Sequence, residues 1–143
     1  MTNKTLTFLN NALTWAGVVA FIVLVIISFL ADQLLCLKIC LTCSISFCLV
    51  SILRKVINLP RPKLEGGIYN KRDGESFPSR HTFSMMMIGL SWINLNIVVG
   101  MVVCGLAILL GGIRIAMGAH YPRDIYGAIV IALTFAGAGY LFF

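Results

Sequence analysis

The sequence predicts an all-α integral membrane helical bundle of about five spans, with its polar groups collected at one membrane face. Three observations point there. Hydrophobic residues make up 59% of the 143-residue chain and charged residues only 11%, too few to cover a water-soluble domain of this size. Long apolar runs follow one another with short gaps, and a helix needs about 20 such residues to cross the hydrocarbon core. The charge is also concentrated, because seven of the eleven Lys and Arg residues fall in the single stretch 54–80. The whole chain, 1–143, is expected to form one membrane-embedded domain.

Residues 1–11 (MTNKTLTFLNN) read as a short polar lead. Residues 12–31 carry no charge and form the first span, with Trp15 near one end as an interfacial anchor. A single Lys before a long apolar run, with no small-x-small site after it, argues for a retained span and against a cleaved signal. Asp32 and Gln33 mark a tight turn. Residues 34–53 form the second span, with Lys38 close enough to its end to reach back to the interface.

Residues 54–80 hold three of the four prolines, three glycines and most of the charge, so they read as a loop, of a length that is usually functional or disordered. The third span, 81–93, is short, which puts its first turn at the membrane surface or in a polar cavity. Asn94 and Asn96 signal a turn into the charge-free fourth span, 97–113. Residues 114–123 are a second polar stretch, and 124–143 form the last span. Glycines at 100, 105, 111, 112, 118, 127, 137 and 139 allow helices to approach closely. Cys36, Cys40 and Cys43 have helical spacing, but only Asp32 lies nearby to complete a metal site. They therefore read as small residues of a buried span.

Five spans bring the end of span two, the start of span three, the end of span four and the start of span five to one face. Three clusters meet there: Arg54, Lys55 and Arg61-Pro62; then Pro78-Ser79-Arg80-His81; then Arg114, His120 and Asp124. The net charge of +6 is thereby placed for an anionic substrate, and no nucleic-acid partner is expected. Arginine forks match phosphate oxygens bidentately. A helix start at Ser79 offers backbone N–H groups to an anion, and Pro78 is tolerated before it. His120 and Asp124, four apart, share a helix face, where a carboxylate fixes the imidazole tautomer and leaves the other nitrogen to attack. His81, the only other histidine, is suited to protonate a leaving oxygen. Polar groups at one end, and not along a midplane path, argue against a channel or transporter.

In order and spacing, these stretches resemble the signature of the type 2 phosphatidic acid phosphatase superfamily. Its three parts are K-x6-R-P, P-S-G-H and S-R-x5-H-x3-D; the matching stretches here are RKVINLPRP, PSRH and IRIAMGAHYPRD. The resemblance covers residues 54–124. It implies a lipid phosphatase in which His120 forms a phosphohistidine, Asp124 orients it, and His81 protonates the leaving group and then activates water. Arg61, Ser79 and Arg114 would hold the phosphoryl oxygens, and no metal or other cofactor would be needed.

Three positions depart from the signature. Arg54 stands at the family lysine, with Lys55, one residue off register, as the alternative phosphate ligand. Arg80 replaces the glycine and adds a charge suited to a second phosphate or a head group. Ile113 replaces the serine and removes one hydrogen bond. Polyprenyl diphosphate, phosphatidylglycerophosphate, phosphatidic acid and lipid A are the substrates the resemblance leaves open. A lipid phosphotransferase using the same residues and a non-catalytic lipid-phosphate binder are the alternatives. The expected partners are that lipid and the bilayer. The expected location is a bacterial inner membrane with the site on its extracytoplasmic side, although ten of the eleven basic residues share that face. Many family members have six core spans, so five implies an N-terminal helix that is missing or supplied by a partner.

Overall fold

A computed structural model describes residues 3–62 and 73–142. Among the described residues there are five helices: α1 (Asn3–Ala31), α2 (Gln33–Ile57), α3 (Arg80–Trp92), α4 (Ile97–Ala116) and α5 (Pro122–Phe142). No strand occurs among the described residues. The all-α bundle expected from the sequence is therefore the observed architecture. Helices α1, α2 and α4 are each long and apolar enough to cross a membrane.

Short polar side chains set the reversals. Asp32 caps α2, its carboxylate accepting the Leu34 N–H at 2.8 Å. Asn96 caps α4 in the same way, its amide oxygen accepting the Val99 N–H at 3.0 Å. Each satisfies a helix N–H that has no partner within the helix.

The helix ends differ from the sequence reading in two places that matter. Residues 3–11 are not a lead but the first turns of α1, and Leu6 and Asn10 are buried there. The loop expected from residue 54 starts later, because α2 continues through Arg54 and Lys55 to Ile57 and ends where Asn58 turns left-handed (φ 42°). In both places polar side chains sit on helical turns that lie beyond the apolar run. Polarity marks where the bilayer ends, and the hydrogen-bond ladder continues past it. The stretch 63–72 of the long loop, with three of its basic residues, lies outside the described residues.

Helix α3 is the hub. At 13 residues it is about 20 Å long, short of the roughly 30 Å hydrocarbon core. It packs against all four other helices, which close around it in the order α1, α2, α5, α4. Its buried residues cover most of its circumference, Phe83, Met85, Met86, Met87 and Trp92 among them. A helix apolar all round belongs inside protein. The enclosing helices bury only narrow stripes, such as Cys36, Ile39, Thr42, Ser46 and Val50 on α2. Their outward faces stay apolar and exposed, as lipid contact requires.

The α3–α4 crossing depends on two glycines. A Cβ on Gly89 would lie 2.8 Å from the Cys104 backbone nitrogen, and one on Gly100 would lie 2.9 Å from the Gly89 carbonyl oxygen. Without those methyls the two backbones touch, which draws the end of α4 toward the start of α3. Among the described residues, no group of three or more His, Cys, Asp or Glu side chains is arranged to hold a metal ion.

Candidate active site

The long loop is pinned from below by two buried arginines. Arg54, on the last turn of α2, is 2% exposed. Its guanidinium donates to the carbonyl oxygens of Glu75 and Pro78, and to that of Ser76 at 3.4 Å. Lys55, about a hundred degrees round the helix, is exposed. Of the two alternatives for the family lysine, the fold turns Arg54 inward. Arg61 is also buried and donates to Gly74 O at 3.1 Å, Ala119 O at 3.2 Å and Glu75 O at 3.5 Å. It ties the loop to the α4–α5 turn.

Ser79 begins α3 and is fully buried. Its own N–H donates to the Asp124 carbonyl at 3.1 Å. The donors left at that helix end are the first-turn amides that follow it. The Ser79 hydroxyl accepts from Thr82 Oγ1 at 3.2 Å. Arg80 and His81 come next and are half-buried. His81 lies within electrostatic reach of Arg114, His120, Arg80 and Arg54.

The third cluster forms where the chain reverses between α4 and α5. Gly118 is left-handed (φ 70°), the conformation that ends a helix most cheaply with glycine. Pro122 then occupies the first turn of α5, where its missing N–H costs nothing. Between them His120 is 2% exposed, and its Nδ1 lies 3.3 Å from Asp124 Oδ2. The same carboxylate oxygen accepts the Tyr121 N–H at 2.9 Å and the Ser76 hydroxyl. Two groups therefore fix the carboxylate that fixes the imidazole. Burial pushes the His120 imidazole below the ordinary histidine value. The Asp124 hydrogen bond pulls it part of the way back, and the Arg114 and Arg61 cations push it down again.

Arg114, on the last turn of α4, is 3% exposed and donates from Nη1 to Asn10 Oδ1 at 2.9 Å. Ile113, at the family serine, turns toward α1 and packs with Leu6 and Met117. Sequence reasoning missed Ser76 and Asn10. Nothing distinguishes Ser76 within its loop, but Asn10 carries a signal, since Leu6, Asn10, Leu13 and Gly17 recur at helical spacing.

Arg80 and His81 also line the polar end of a cavity of about 470 Å³ between α1, α2 and α3, whose other walls include Phe21, Phe47, Met85 and Ile88. A second cavity of about 240 Å³ shares Phe21, Phe47, Ser84 and Ile88 with it and continues to Cys43 and Met87. The two form one apolar groove that starts beside His81.

A family model described as the PAP2 superfamily matches residues 35–143. Undecaprenyl-diphosphatase BcrC of Bacillus subtilis (strain 168) is 37% identical over 68 residues, which cover 48% of this chain and 34% of that protein. The match thus spans about a third of the length of that curated relative. The crystal structure of Aquifex aeolicus LpxE superposes with a TM-score of 0.80 over 99% of this chain and 88% of that one, at 21% identity, a likeness of fold.

Proposed function

The chain belongs to the PAP2 superfamily, and from that premise we propose that it hydrolyses a phosphate or diphosphate group from a membrane lipid through a phosphohistidine on His120. The observation that carries the reading is the buried His120–Asp124 pair, at 3.3 Å, set among Arg61, Arg114 and the His81 imidazole. With Nδ1 held by the carboxylate, Nε2 is the attacking nitrogen.

Its lone pair forms the N–P bond as the bond from phosphorus to the lipid oxygen breaks, and His81 gives that oxygen its proton. His81, now neutral, takes a proton from water. The hydroxide attacks phosphorus, the N–P bond breaks, and inorganic phosphate leaves. Arg61, Arg114 and the first-turn amides of α3 stabilise the charge on the phosphoryl oxygens, the largest demand in this chemistry. The Ser79 hydroxyl sits at the same helix start. Arg54 serves mainly by holding the 75–78 segment in place, and Arg80 faces the head group. No step calls for a metal.

The apolar groove beside His81 supports a lipid substrate, because it gives the tail a path into the membrane while the phosphate stays at the face. The likeness to a named undecaprenyl-diphosphatase supports trying a polyprenyl diphosphate first among the four lipid classes. We place the protein in a bacterial inner membrane with the site outward.

One panel tests both statements. Purified protein in detergent with a chelator is expected to release phosphate from at least one of polyprenyl diphosphate, phosphatidylglycerophosphate, phosphatidic acid or lipid A. A short-chain, membrane-impermeant version added outside intact cells is expected to be hydrolysed without lysis. No release from any of the four, with or without divalent metal, would sink the phosphatase reading. Hydrolysis only after lysis would reverse the orientation.

The pH dependence follows from His120. Its depressed value keeps the imidazole neutral as pH falls through about 6.5, the ordinary histidine range. The acid limb of kcat/KM set by this group is therefore expected below about pH 6.5. Asp124 favours the protonated imidazole, so Asp124→Asn is expected to move that limb to lower pH while kcat falls about a hundredfold or more. The substrate's own ionisation is common to both proteins, so the difference reports on His120. A limb that moved upward in Asp124→Asn would contradict the assignment.

A further inference from the structure

We infer that Asn10 of α1 is a positioning residue that aims the Arg114 guanidinium at the phosphate, as a neutral acceptor that adds no negative charge of its own beside the arginine. This rests on the reading of Arg114 as a phosphate ligand. The contact joins residues 104 apart in sequence, at 2.9 Å, between two side chains that are 4% and 3% exposed. Asn10 itself lies outside the matched family region, which begins at residue 35, so the support for a site residue comes from a helix the family signature does not include.

The amide is oriented at both ends. Asn10 Nδ2 donates to Asn11 Oδ1 at 3.1 Å, which leaves Oδ1 for Arg114. Leu6 on the preceding turn packs on Ile113 and Met117, with Leu9 and Leu13 beside it, and this seats α1 against the last turn of α4. The replacement of serine by Ile113 fits this arrangement, because the position next to Arg114 is given to an apolar contact with α1. A polar contact to Arg114 comes from α1 itself.

The choice of asparagine has a chemical reason. A buried arginine near a membrane needs acceptors, and an aspartate would supply a stronger one. It would also form an ion pair with Arg114 and compete with the phosphate for that charge. An amide oxygen fixes direction and cancels nothing.

The full chain in detergent, with the best lipid substrate of the panel and inorganic phosphate as a competing inhibitor, tests this. Asn10→Asp is expected to raise KM and the phosphate inhibition constant about tenfold together, as a charge-assisted pair would, with Tm at or above the wild-type value. A role confined to holding the helices would not move phosphate binding in a variant of unreduced stability. Asn10→Ala is expected to lower kcat/KM about tenfold, and by less than about twofold when Arg114 is already alanine. Wild-type KM and phosphate inhibition in Asn10→Asp would overturn the positioning role, as would equal losses from Asn10→Ala with and without Arg114. Either result, in a protein that still releases phosphate, leaves the phosphatase reading standing. A wild-type chain that releases none overturns both.

Discussion

Replacing His120 by alanine is expected to lower phosphate release by at least about a thousandfold, since removing a nucleophile removes the covalent route altogether. That is a loss of about 4 kcal/mol of transition-state stabilisation at a tenfold per 1.36 kcal/mol. The fold is expected to survive. Asp124 Oδ2 keeps the Tyr121 N–H and the Ser76 hydroxyl when the imidazole goes, so the carboxylate is not orphaned. Arg61 still ties the Ala119 carbonyl to the loop. The two readouts separate the roles. A Tm near the wild-type value with activity lost identifies chemistry, whereas a large drop in Tm with substantial residual turnover would identify a structural histidine.

Arg54→Ala is expected to act the other way, through the scaffold first. The carbonyls of Ser76 and Pro78 accept from this one guanidinium in a buried setting, and that of Glu75 in a partly buried one. Truncation leaves them without that donor, at about 1–3 kcal/mol for each that stays buried and unpaired. A total loss of about 3 kcal/mol is a large share of the stability of a small domain. The segment 75–79 carries Ser76 and Ser79, so its release frees Asp124 from one partner and uncouples the start of α3. Hydrogen exchange across 75–79 should rise sharply and activity should fall with it. Arg54→Lys restores the charge but not the fork that reaches several carbonyls at once, so it is expected to recover only part of either. Full recovery with lysine would show that charge alone matters, and would return Arg54 to the phosphate.

Much of this was legible in the sequence because a chain this apolar has few places for polar residues. Apolar length gave the helices, and the caps at Asp32 and Asn96 gave their reversals. The face shared by His81, His120, Asp124 and the arginines followed from counting spans, and the structure brings those residues together. What stayed hidden had a physical cause in each case. Polarity marks the ends of the apolar runs, but α1 and α2 continue past them, so the first turns of α1, with Asn10, and the turn bearing Arg54 look like lead and loop in sequence. Ser76 contacts Asp124 across 48 residues, and no local pattern encodes a contact of that range. The donors of Arg54 and Arg61 look like phosphate ligands in sequence. Their bonds to loop carbonyls appear only when the loop is folded around them.

The most direct test is to quench the wild-type protein during turnover of its best lipid substrate, digest it, and locate the phosphoryl group. An acid-labile, base-stable phosphoryl group on the peptide containing His120 is the expected result, and it should be absent from His120→Ala. Full turnover with the phosphoryl group on another residue, or wild-type turnover by His120→Ala, would contradict it.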